Sequence, residues 1–378
     1  MADTPRRPTI GVVGGGQLAW MMAPAAARLG LPLVLLASPD DAAAALVPDV
    51  IDGRPDADGL RALAAACDVL TVEHELVDLD TMEALEAEGH PVRPSAATLR
   101  VANDKIRQRE LLAEHGVPVA PWTVAADLAG IEAFADEHGW PLVLKRPRGG
   151  YDGRGVWIAD DVDAARAVVD EVAGEDLLVE PKLPIDLELA VLVARRPGGE
   201  LAIYPAVETV QVEAMCREVV LPAPVTNELA SRAEEIGQRV AEAIGSVGML
   251  AIELFVVDGE VLLNELAARP HNAGHVTIEG SVTSQFENHL RAVADLPLGA
   301  TRRRVAAAVM VNVVGEEDDP RDHLAAGLDV DDVSVHLYGK AARPGRKLGH
   351  VTATGPDVAG ARQRATLAAR RLTGGTPA

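Results

Sequence analysis

Two glutamates lie on the two arms of one predicted β-hairpin, and their spacing indicates cation chemistry. The segment AIELFVVDGEVLLNELAARPHNAGH places Glu253 before an Asp-Gly turn and Glu265 after it. Acidic side chains that face the same way on paired strands repel each other, and burying them without cations is costly. Together with Asn264 they form a hard oxygen site for one or two Mg²⁺ ions that bridge phosphates. An ion-pair network with Arg269 is the alternative interpretation.

A lysine followed by a glycine-rich loop indicates polyphosphate binding. The stretch LVLKRPRGGYDGRGVWI ends an apolar strand at Lys145 and continues with four glycines: Gly149, Gly150, Gly153 and Gly155. Such a loop is able to close as a lid whose backbone N–H groups bind phosphate oxygens. Its closure would bring Asp152 and Arg154 to the reacting centre. The order of lysine and glycines differs from that of a Walker A loop, and a plain β-hairpin with polar decoration is the alternative.

A second glycine-rich turn, near the N-terminus, gives a weaker signal. In GVVGGGQLA, Gly14, Gly16 and Ala19 fit a G-x-G-x-x-A dinucleotide fingerprint, and Asp40 follows the next predicted strand. Taken alone, this pattern favours an NAD-dependent oxidoreductase. The turn also opens a helix, whose free N–H groups suit a phosphate monoester. The segment EHE at positions 73–75 ends a third strand, at the edge where ligands bind to such sheets.

Two acids lie on predicted strands where a nucleoside would bind. In LLVEPKLPIDLELAV, an apolar strand reaches Glu180 and breaks at Pro181, which leaves backbone groups free to bind an adenine base. Glu188 on the next strand is suited to ribose hydroxyls. Taken singly, each acid is more readily interpreted as a solvated strand residue.

Two further segments carry polar residues at high density. ARPHNAGH is predicted to be an irregular loop beside the acidic pair, and its histidines lack the spacing and third ligand of a zinc site. YGKAARPGRKLGH concentrates basic residues in an acidic protein, and we expect it to bind a small anionic substrate. A chance cationic loop is the competing interpretation. The residues concerned are Arg269, His271, Asn272 and His275 in the first segment, and Lys340, Arg343, Arg346, Lys347 and His350 in the second.

Composition excludes several classes of function. The 378 residues carry a formal net charge of -22, which argues against nonspecific binding to nucleic acid. No apolar stretch approaches the roughly 18 residues of a membrane helix, and no secretory signal is evident, so we expect a cytoplasmic protein. Cys67 and Cys216 have no disulfide or metal-ligand partner pattern and are expected to be small buried or half-buried hydrophobes. The five lysines, at 105, 145, 182, 340 and 347, all fall in or beside these motifs.

The predicted elements divide the chain into three parts of mixed α/β and α+β class. Alternating strands and helices over residues 1–100 predict a parallel, doubly wound, Rossmann-like domain. A central domain over 101–300 begins with a small α+β lid, about 121–182, and continues with antiparallel strands flanked by helices. Short strands and a final helix over 301–378 predict a small β-rich C-terminal domain.

Together, the motifs resemble the ATP-grasp superfamily, and within it the 5-(carboxyamino)imidazole ribonucleotide synthase family. The most specific segments are GGGQLA, RGGYDGRG, NELAARPHNAGH, TSQFENHLRAV and RPGRKLGH, in this order over nearly the whole chain. The resemblance implies an ATP-grasp fold, ATP and Mg²⁺ as cofactors, and metal binding by Glu253 and Glu265. The residues implied to bind ATP are Lys105, Lys145, Gly150, Tyr151, Asp152, Gly153, Arg154, Gly155, Val156, Glu180, Pro181, Lys182, Leu183, Glu188, Gln211, Asn264 and Glu265.

The same resemblance implies a second group of residues around the other substrates. Asp152, Arg154, Arg269 and Lys347 are the implied catalytic residues. The residues implied to bind 5-aminoimidazole ribonucleotide and the bicarbonate-derived group are Gly15, Gly16, Gln17, Leu18, Glu73, Tyr151, Arg154, Arg269, Asn272, Lys340, Arg346 and Lys347.

The activity implied by the resemblance is ATP-dependent carboxylation of 5-aminoimidazole ribonucleotide through carboxyphosphate, in purine biosynthesis, by a homodimer. A formate-using ATP-grasp transformylase that acts on glycinamide ribonucleotide is the nearest alternative. An NAD-dependent oxidoreductase and a catalytically inactive relative are the others. Four residues depart from the family pattern: Trp20, Lys105, Gln211 and Val276. None of them is a predicted metal ligand or part of the predicted lid, so we expect the protein to be active.

Overall fold

The computed structural model describes residues 7–149, 155–316 and 318–374, and the strands in these ranges form three sheets. The first sheet is parallel throughout, with the order β3-β2-β1-β4. Its strands are β1 (Ile10–Val13), β2 (Leu33–Ala37), β3 (Val50–Asp52) and β4 (Val69–Val72). The helices of this part are α1 (Gln17–Leu29), α2 (Ala57–Ala66), α3 (Leu79–Ala87) and α4 (Ala96–Ala102), with a 3₁₀ turn at Ala42–Ala45.

Burial on both faces explains the unbroken apolar strands of this sheet. Ile10 and Val12 pack in the core that contains α1, whereas Val13 packs in the core that contains α2. A parallel sheet covered by helices on both sides needs apolar residues at successive positions. The doubly wound N-terminal sheet predicted from the sequence is therefore confirmed.

The second sheet is antiparallel and contains the two strands that flank the glycine-rich segment in the sequence. Its order is β5-β8-β6-β7, and the helices α6 and α7 cover one face of it. The strands β6 and β7 pair antiparallel, with Lys145 opposite Val156. These elements, with the preceding helix, are α5 (Lys105–Glu114), β5 (Thr123–Ala125), α6 (Leu128–His138), β6 (Leu142–Lys145), β7 (Val156–Ala159), α7 (Val162–Val172) and β8 (Leu177–Pro181).

The third sheet holds nine strands among the described residues and runs through the centre of the molecule. Its order is β14-β13-β9-β11-β12-β15-β17-β16, and β10 pairs with β9. The strands are β9 (Leu187–Arg195), β10 (Leu201–Ile203), β11 (Val207–Val212), β12 (Met215–Leu221), β13 (Gly248–Val257), β14 (Glu260–Ala267), β15 (Ala307–Val314), β16 (Val333–Leu337) and β17 (Lys347–Gly355). The helices are α8 (Asn227–Ile244), α9 (Thr277–Gly280), α10 (Gln285–Val293), α11 (Leu324–Leu328) and α12 (Val358–Leu372), with a 3₁₀ turn at Asn272–Gly274.

The C-terminal strands extend the central sheet, because β15 pairs with β12 in antiparallel register. The charge of Lys347, at the start of β17, acts on Glu253 in the β13–β14 hairpin. The division at residues 100 and 300 stays a prediction. Cys67 is half-buried and Cys216 buried, as the sequence predicted.

Among the described residues, no helix combines the length and the apolar composition that crossing a membrane requires.

Candidate active site

A β-bulge places the two predicted metal ligands opposite each other. Val257 pairs with Glu260 across the turn, but the register shifts between Leu254 and Glu253, so Glu253 pairs with Glu265. A bulge sets two residues of one strand against one residue of its partner. Asn264 and Glu265 therefore both oppose Glu253, and the predicted acidic pair is on one face of the hairpin.

The acidic pair is electrostatically strained. Burial, together with the charges of Glu265 and Glu188, raises the pKa of Glu253 to about 7, although 27% of its side-chain surface is accessible. Lys105, at the start of α5, forms an ion pair with Glu265. Two facing carboxylates, with the charge of Glu188 nearby, favour a bound cation, and the oxygen donors of Glu253, Asn264 and Glu265 fit Mg²⁺.

The contact that Glu253 makes with His271 does not supply a positive charge. His271 Nε2 lies 3.4 Å from Glu253 Oε1, but burial and the nearby Arg269 and Lys347 lower the pKa of His271 to about 3. The imidazole is therefore neutral at pH 7. Within the described residues, no group of three or more acids, histidines or cysteines could hold a metal ion by itself. A metal ion bound here would take its remaining ligands from substrate oxygens and water.

A buried ion cluster connects the lid sheet to the acidic pair. Lys145 Nζ lies 2.7 Å from Glu180 Oε2 and donates a 3.4 Å hydrogen bond to Asn264 Oδ1. Arg109 Nε donates to Glu180 Oε1 at 2.8 Å. Burial opposes ionisation of Glu180, but Arg109 and Lys145 outweigh it and lower the pKa of this carboxyl. Burial also lowers the pKa of Lys145, against the attraction of Glu180.

Five further residues predicted to bind ATP lie at or just after the end of β8, on β9 and on β11: Pro181, Lys182, Leu183, Glu188 and Gln211. Strand β8 ends at Pro181, and the backbone N–H of Lys182 donates to the Pro141 carbonyl at 3.0 Å. Leu183, the next residue along, is partly buried. Burial raises the pKa of Glu188, while a hydrogen bond with Gln211 acts in the opposite direction.

The N-terminus of α1 differs from the sequence-based expectation. The backbone N–H groups of Gly16, Leu18 and Ala19 donate to the Glu73 carboxylate at 2.5, 3.1 and 3.1 Å. These three N–H groups are therefore not free to bind a phosphate. The prediction of free phosphate-binding donors at the start of α1 was wrong for these three groups. A Cβ at Gly16 would lie 2.7 Å from Glu73 Oε1, so this glycine makes room for Glu73 rather than for a dinucleotide. Gly15 and Gln17 belong to the same turn.

Part of the basic C-terminal segment reaches this turn. Lys340 Nζ donates to Gln17 Oε1 at 2.6 Å. Burial, with the charges of Arg346 and Lys347, lowers the pKa of Lys340 to about 8, while Glu73 opposes this change. Lys347 begins β17, and its charge lowers the pKa of Glu253. The C-terminal cations therefore lie between the turn and the acidic pair.

His350 does not contribute a cation to this cluster, contrary to expectation. The side chain is fully buried and exchanges a 2.8 Å hydrogen bond with the Tyr338 hydroxyl. Burial and the neighbouring His336 and His275 lower the pKa of His350 well below its ordinary value. Its ring packs against those of His336 and His275. Arg346 is bound to the Ala341 carbonyl at 3.3 Å.

The loop after β14 is held by residues that sequence reasoning did not assign to the site. Glu75 accepts a 2.8 Å hydrogen bond from the Ala268 backbone and lies 3.5 Å from Arg269 Nε. Asn272 exchanges two side-chain hydrogen bonds with Asn312, of 3.0 and 2.7 Å. The signal available in the sequence for Glu75 was its position two residues after Glu73 at the end of β4.

Arg109 was also missed, and its signal was its position one helical turn after Lys105. The described flanks of the lid are Val156, opposite Lys145, and Gly155, which has a positive φ of 68°. Five predicted lid residues lie outside the described ranges: Gly150, Tyr151, Asp152, Gly153 and Arg154.

Comparison with known proteins supports the same assignment. The chain matches a ribonucleotide synthetase preATP-grasp domain over residues 8–103, an ATP-grasp domain over 110–286 and a phosphoribosylaminoimidazole carboxylase C-terminal domain over 308–364. It is 46% identical over 381 residues to the N5-carboxyaminoimidazole ribonucleotide synthase of Mycobacterium tuberculosis, covering 97% of this chain and 88% of that protein.

Two solved structures of the Aspergillus clavatus synthase are similar over 97% of this chain and 98% of theirs, at 31% identity and a TM-score of 0.89. One is complexed with ATP, and the other with ADP and 5-aminoimidazole ribonucleotide. The predicted fold is thereby confirmed. At this identity and coverage, the chain belongs to the N5-carboxyaminoimidazole ribonucleotide synthase family of ATP-grasp proteins.

Proposed function

We propose that the protein carboxylates the amine of 5-aminoimidazole ribonucleotide with ATP and bicarbonate, giving 5-(carboxyamino)imidazole ribonucleotide, ADP and phosphate. One observation carries this proposal. The facing pair Glu253 and Glu265 is flanked by Lys145 on the lid side and Lys347 on the C-terminal side. The site thus has an acidic centre for metal and phosphate, with a cation at each end. The Aspergillus clavatus relative that holds ADP and 5-aminoimidazole ribonucleotide supports the choice of substrates.

The first step is phosphoryl transfer to bicarbonate. A bicarbonate oxygen attacks the γ-phosphorus of ATP, the bond to the β,γ-bridging oxygen breaks, and ADP leaves carboxyphosphate behind. Lys145 lies beside Asn264 and would neutralise charge on the transferred group. When bound by Glu253, Asn264 and Glu265, Mg²⁺ would supply further charge neutralisation at the phosphate oxygens.

The second step is carbon–nitrogen bond formation. Carboxyphosphate releases CO₂ and phosphate, the exocyclic amine attacks the CO₂ carbon, and the phosphate accepts the amine proton. Arg269 and Lys347 would hold the CO₂, and Glu75 orients Arg269. Asp152 and Arg154 are predicted to complete the site when the lid closes and excludes water, because carboxyphosphate hydrolyses readily. Asp152 would orient the amine.

A coupled ADP assay tests the proposal. ADP formation should require both bicarbonate and 5-aminoimidazole ribonucleotide, and omission of either should reduce it to background. Replacing bicarbonate with formate and the ribonucleotide with glycinamide ribonucleotide tests the transformylase alternative. ADP formation indifferent to both small substrates would refute the assignment, and specific binding of NAD would revive the oxidoreductase.

Three finer points belong to the same proposal. Mg²⁺ is the expected metal, which titration with EDTA and re-addition of Mg²⁺ tests. The resemblance implies a homodimer, which light scattering coupled to size-exclusion chromatography tests. A cytoplasmic location is expected, which fractionation of the source cells tests.

A further inference from the structure

Helix α5 carries two cations one turn apart, at different depths of the site. Lys105 and Arg109 are four residues apart and so lie on the same face of the helix. Asp104 caps the helix by accepting hydrogen bonds from the backbone N–H groups of Ile106 and Arg107. Lys105 pairs with Glu265, whereas Arg109 is only 2% exposed. The fixed helix start therefore sets the position of both cations.

Arg109 joins the lid sheet to the strand of the acidic pair. Its Nε donates to Glu180 Oε1 at 2.8 Å, and Glu180 belongs to β8 of the lid sheet. Its Nη2 donates to the main-chain carbonyl of Asn264 at 2.8 Å, and Asn264 belongs to β14. Arg109 therefore contacts both sides of the site, through the Glu180 carboxylate and the Asn264 main-chain carbonyl.

Glu180 is shared by two cations, one on each carboxylate oxygen. Arg109 binds Oε1, and Lys145 Nζ lies 2.7 Å from Oε2. Two positive charges and one negative charge leave the cluster with a net charge of +1. Without Arg109, Glu180 would neutralise Lys145 alone, and the cluster would be neutral. A buried carboxylate with one partner would also hold that partner more strongly.

We propose that Arg109 is a positioning residue that neutralises Glu180, so that the Lys145 ammonium is available to the phosphates of ATP. This inference rests on the proposed function, because it assigns the charge of Lys145 to the nucleotide. Arg109 acts through Glu180 and Lys145.

The test compares Michaelis constants for the three substrates. Arg109→Met should raise the KM for ATP roughly tenfold or more, the effect of losing one charge-assisted contact. The KM values for bicarbonate and 5-aminoimidazole ribonucleotide should stay within about twofold. A merely structural role would instead lower apparent kcat through a smaller folded fraction and leave every KM unchanged. Arg107→Met is the matched control, since Arg107 lies on the same helix with 60% of its side chain exposed.

Two variants test the charge assignment. Arg109→Lys keeps a cation beside Glu180, so its KM for ATP should stay within about threefold of wild type even if Arg109→Met fails to fold. Arg109→Met combined with Glu180→Gln removes both charges and should lower the KM for ATP from the Arg109→Met value, because Lys145 is no longer neutralised. An Arg109→Lys variant as impaired as Arg109→Met, or no recovery in the double variant, would overturn the proposal.

Calorimetric titration with ATP alone separates this inference from the proposed function. The affinity of Arg109→Met for ATP should fall by about the same factor as its KM rises. If wild type binds ATP but never turns over 5-aminoimidazole ribonucleotide, the proposed function is refuted. The ATP affinities of wild type and Arg109→Met would still decide the role of Arg109. Equal ATP affinity in wild type and Arg109→Met would refute the role of Arg109.

Discussion

His289 should make the protein lose stability below pH 6.5, because its imidazole is buried without charge. The residue lies on α10 and has no accessible surface. Its Nδ1 accepts a 3.0 Å hydrogen bond from the Met249 backbone, and its Nε2 lies 3.0 Å from the Thr71 hydroxyl. These contacts join β4 of the N-terminal sheet to β13 of the central sheet. Burial lowers the pKa of His289 from 6.5 to about 3.

The sign and size of the effect follow from proton linkage. Below pH 6.5 the unfolded chain takes up a proton at this position, whereas folded His289 stays neutral until about pH 3. Its contribution to stability is therefore complete above pH 6.5 and is lost as the pH falls. Between pH 7.5 and pH 5.5 the loss is about 1.4 kcal/mol, from the fraction protonated in the unfolded chain.

The assay compares wild type with His289→Asn by urea denaturation, followed by circular dichroism, at pH 7.5, 6.5 and 5.5. At pH 7.5 the variant should be less stable by about 2–4 kcal/mol, because it loses ring packing and the contact with Thr71. The difference in unfolding free energy should shrink by about 1.4 kcal/mol at pH 5.5, because only wild type loses the linkage contribution. His115→Asn, at an exposed position, is the matched control and should give no such change. A difference that is constant with pH would show that His289 protonates normally in the folded protein and would refute the reasoning.

Three further predictions concern the site. Glu253→Gln should lower turnover at least about a thousandfold, because the metal loses a carboxylate ligand. The Tm of the metal-free variant should not fall, because the substitution removes the repulsion between Glu253 and Glu265. A fall in Tm of several degrees would contradict the interpretation of this acidic pair as strained. Glu73→Ala should lower the free energy of unfolding by about 2–4 kcal/mol in urea melts, because three backbone donors at the start of α1 lose their acceptor. An unchanged urea midpoint would show that the Glu73 carboxylate does not stabilise the start of this helix. The KM for 5-aminoimidazole ribonucleotide should rise above about pH 8 as Lys340, whose pKa is lowered to about 8, loses its proton. Lys340→Arg should move that rise to higher pH, and identical profiles for the two proteins would exclude Lys340 from substrate binding.

The secondary structure was predictable because its signals are local. Apolar runs and glycine turns defined the parallel sheet, the strands beside the glycine-rich segment and the antiparallel strands. Several elements had no prediction, among them β3, which has three residues, and α4, a seven-residue helix capped by Ser95. The C-terminal strands were predicted, but their union with the central sheet depends on the pairing of β12 with β15, which no local pattern encodes.

The polar partners of the site were harder to predict than its charged ligands. Glu75 and Arg109 reach their partners across 193 and 71 residues of chain, respectively. Sequence patterns identify a residue type suited to a phosphate or a metal ion. They do not show which distant side chain fixes its orientation, since that depends on tertiary packing. Glu73, which accepts hydrogen bonds at the start of α1, is the same case. The glycines that make room for it gave a nucleotide-like sequence pattern for a structural reason.

The acidic pair shows how one backbone irregularity can decide the chemistry of a hairpin. The turn pairs Val257 with Glu260, and in a regular ladder this register would set Glu253 opposite Asn264. Glu265 would then face the other side of the sheet, because side chains alternate along a strand. The bulge inserts one extra residue in β14, so that the amide and the second carboxylate oppose Glu253 together. The three oxygen-bearing side chains of the proposed metal site are therefore brought together by the bulge, and Lys105 and Lys145 can reach them from the same side.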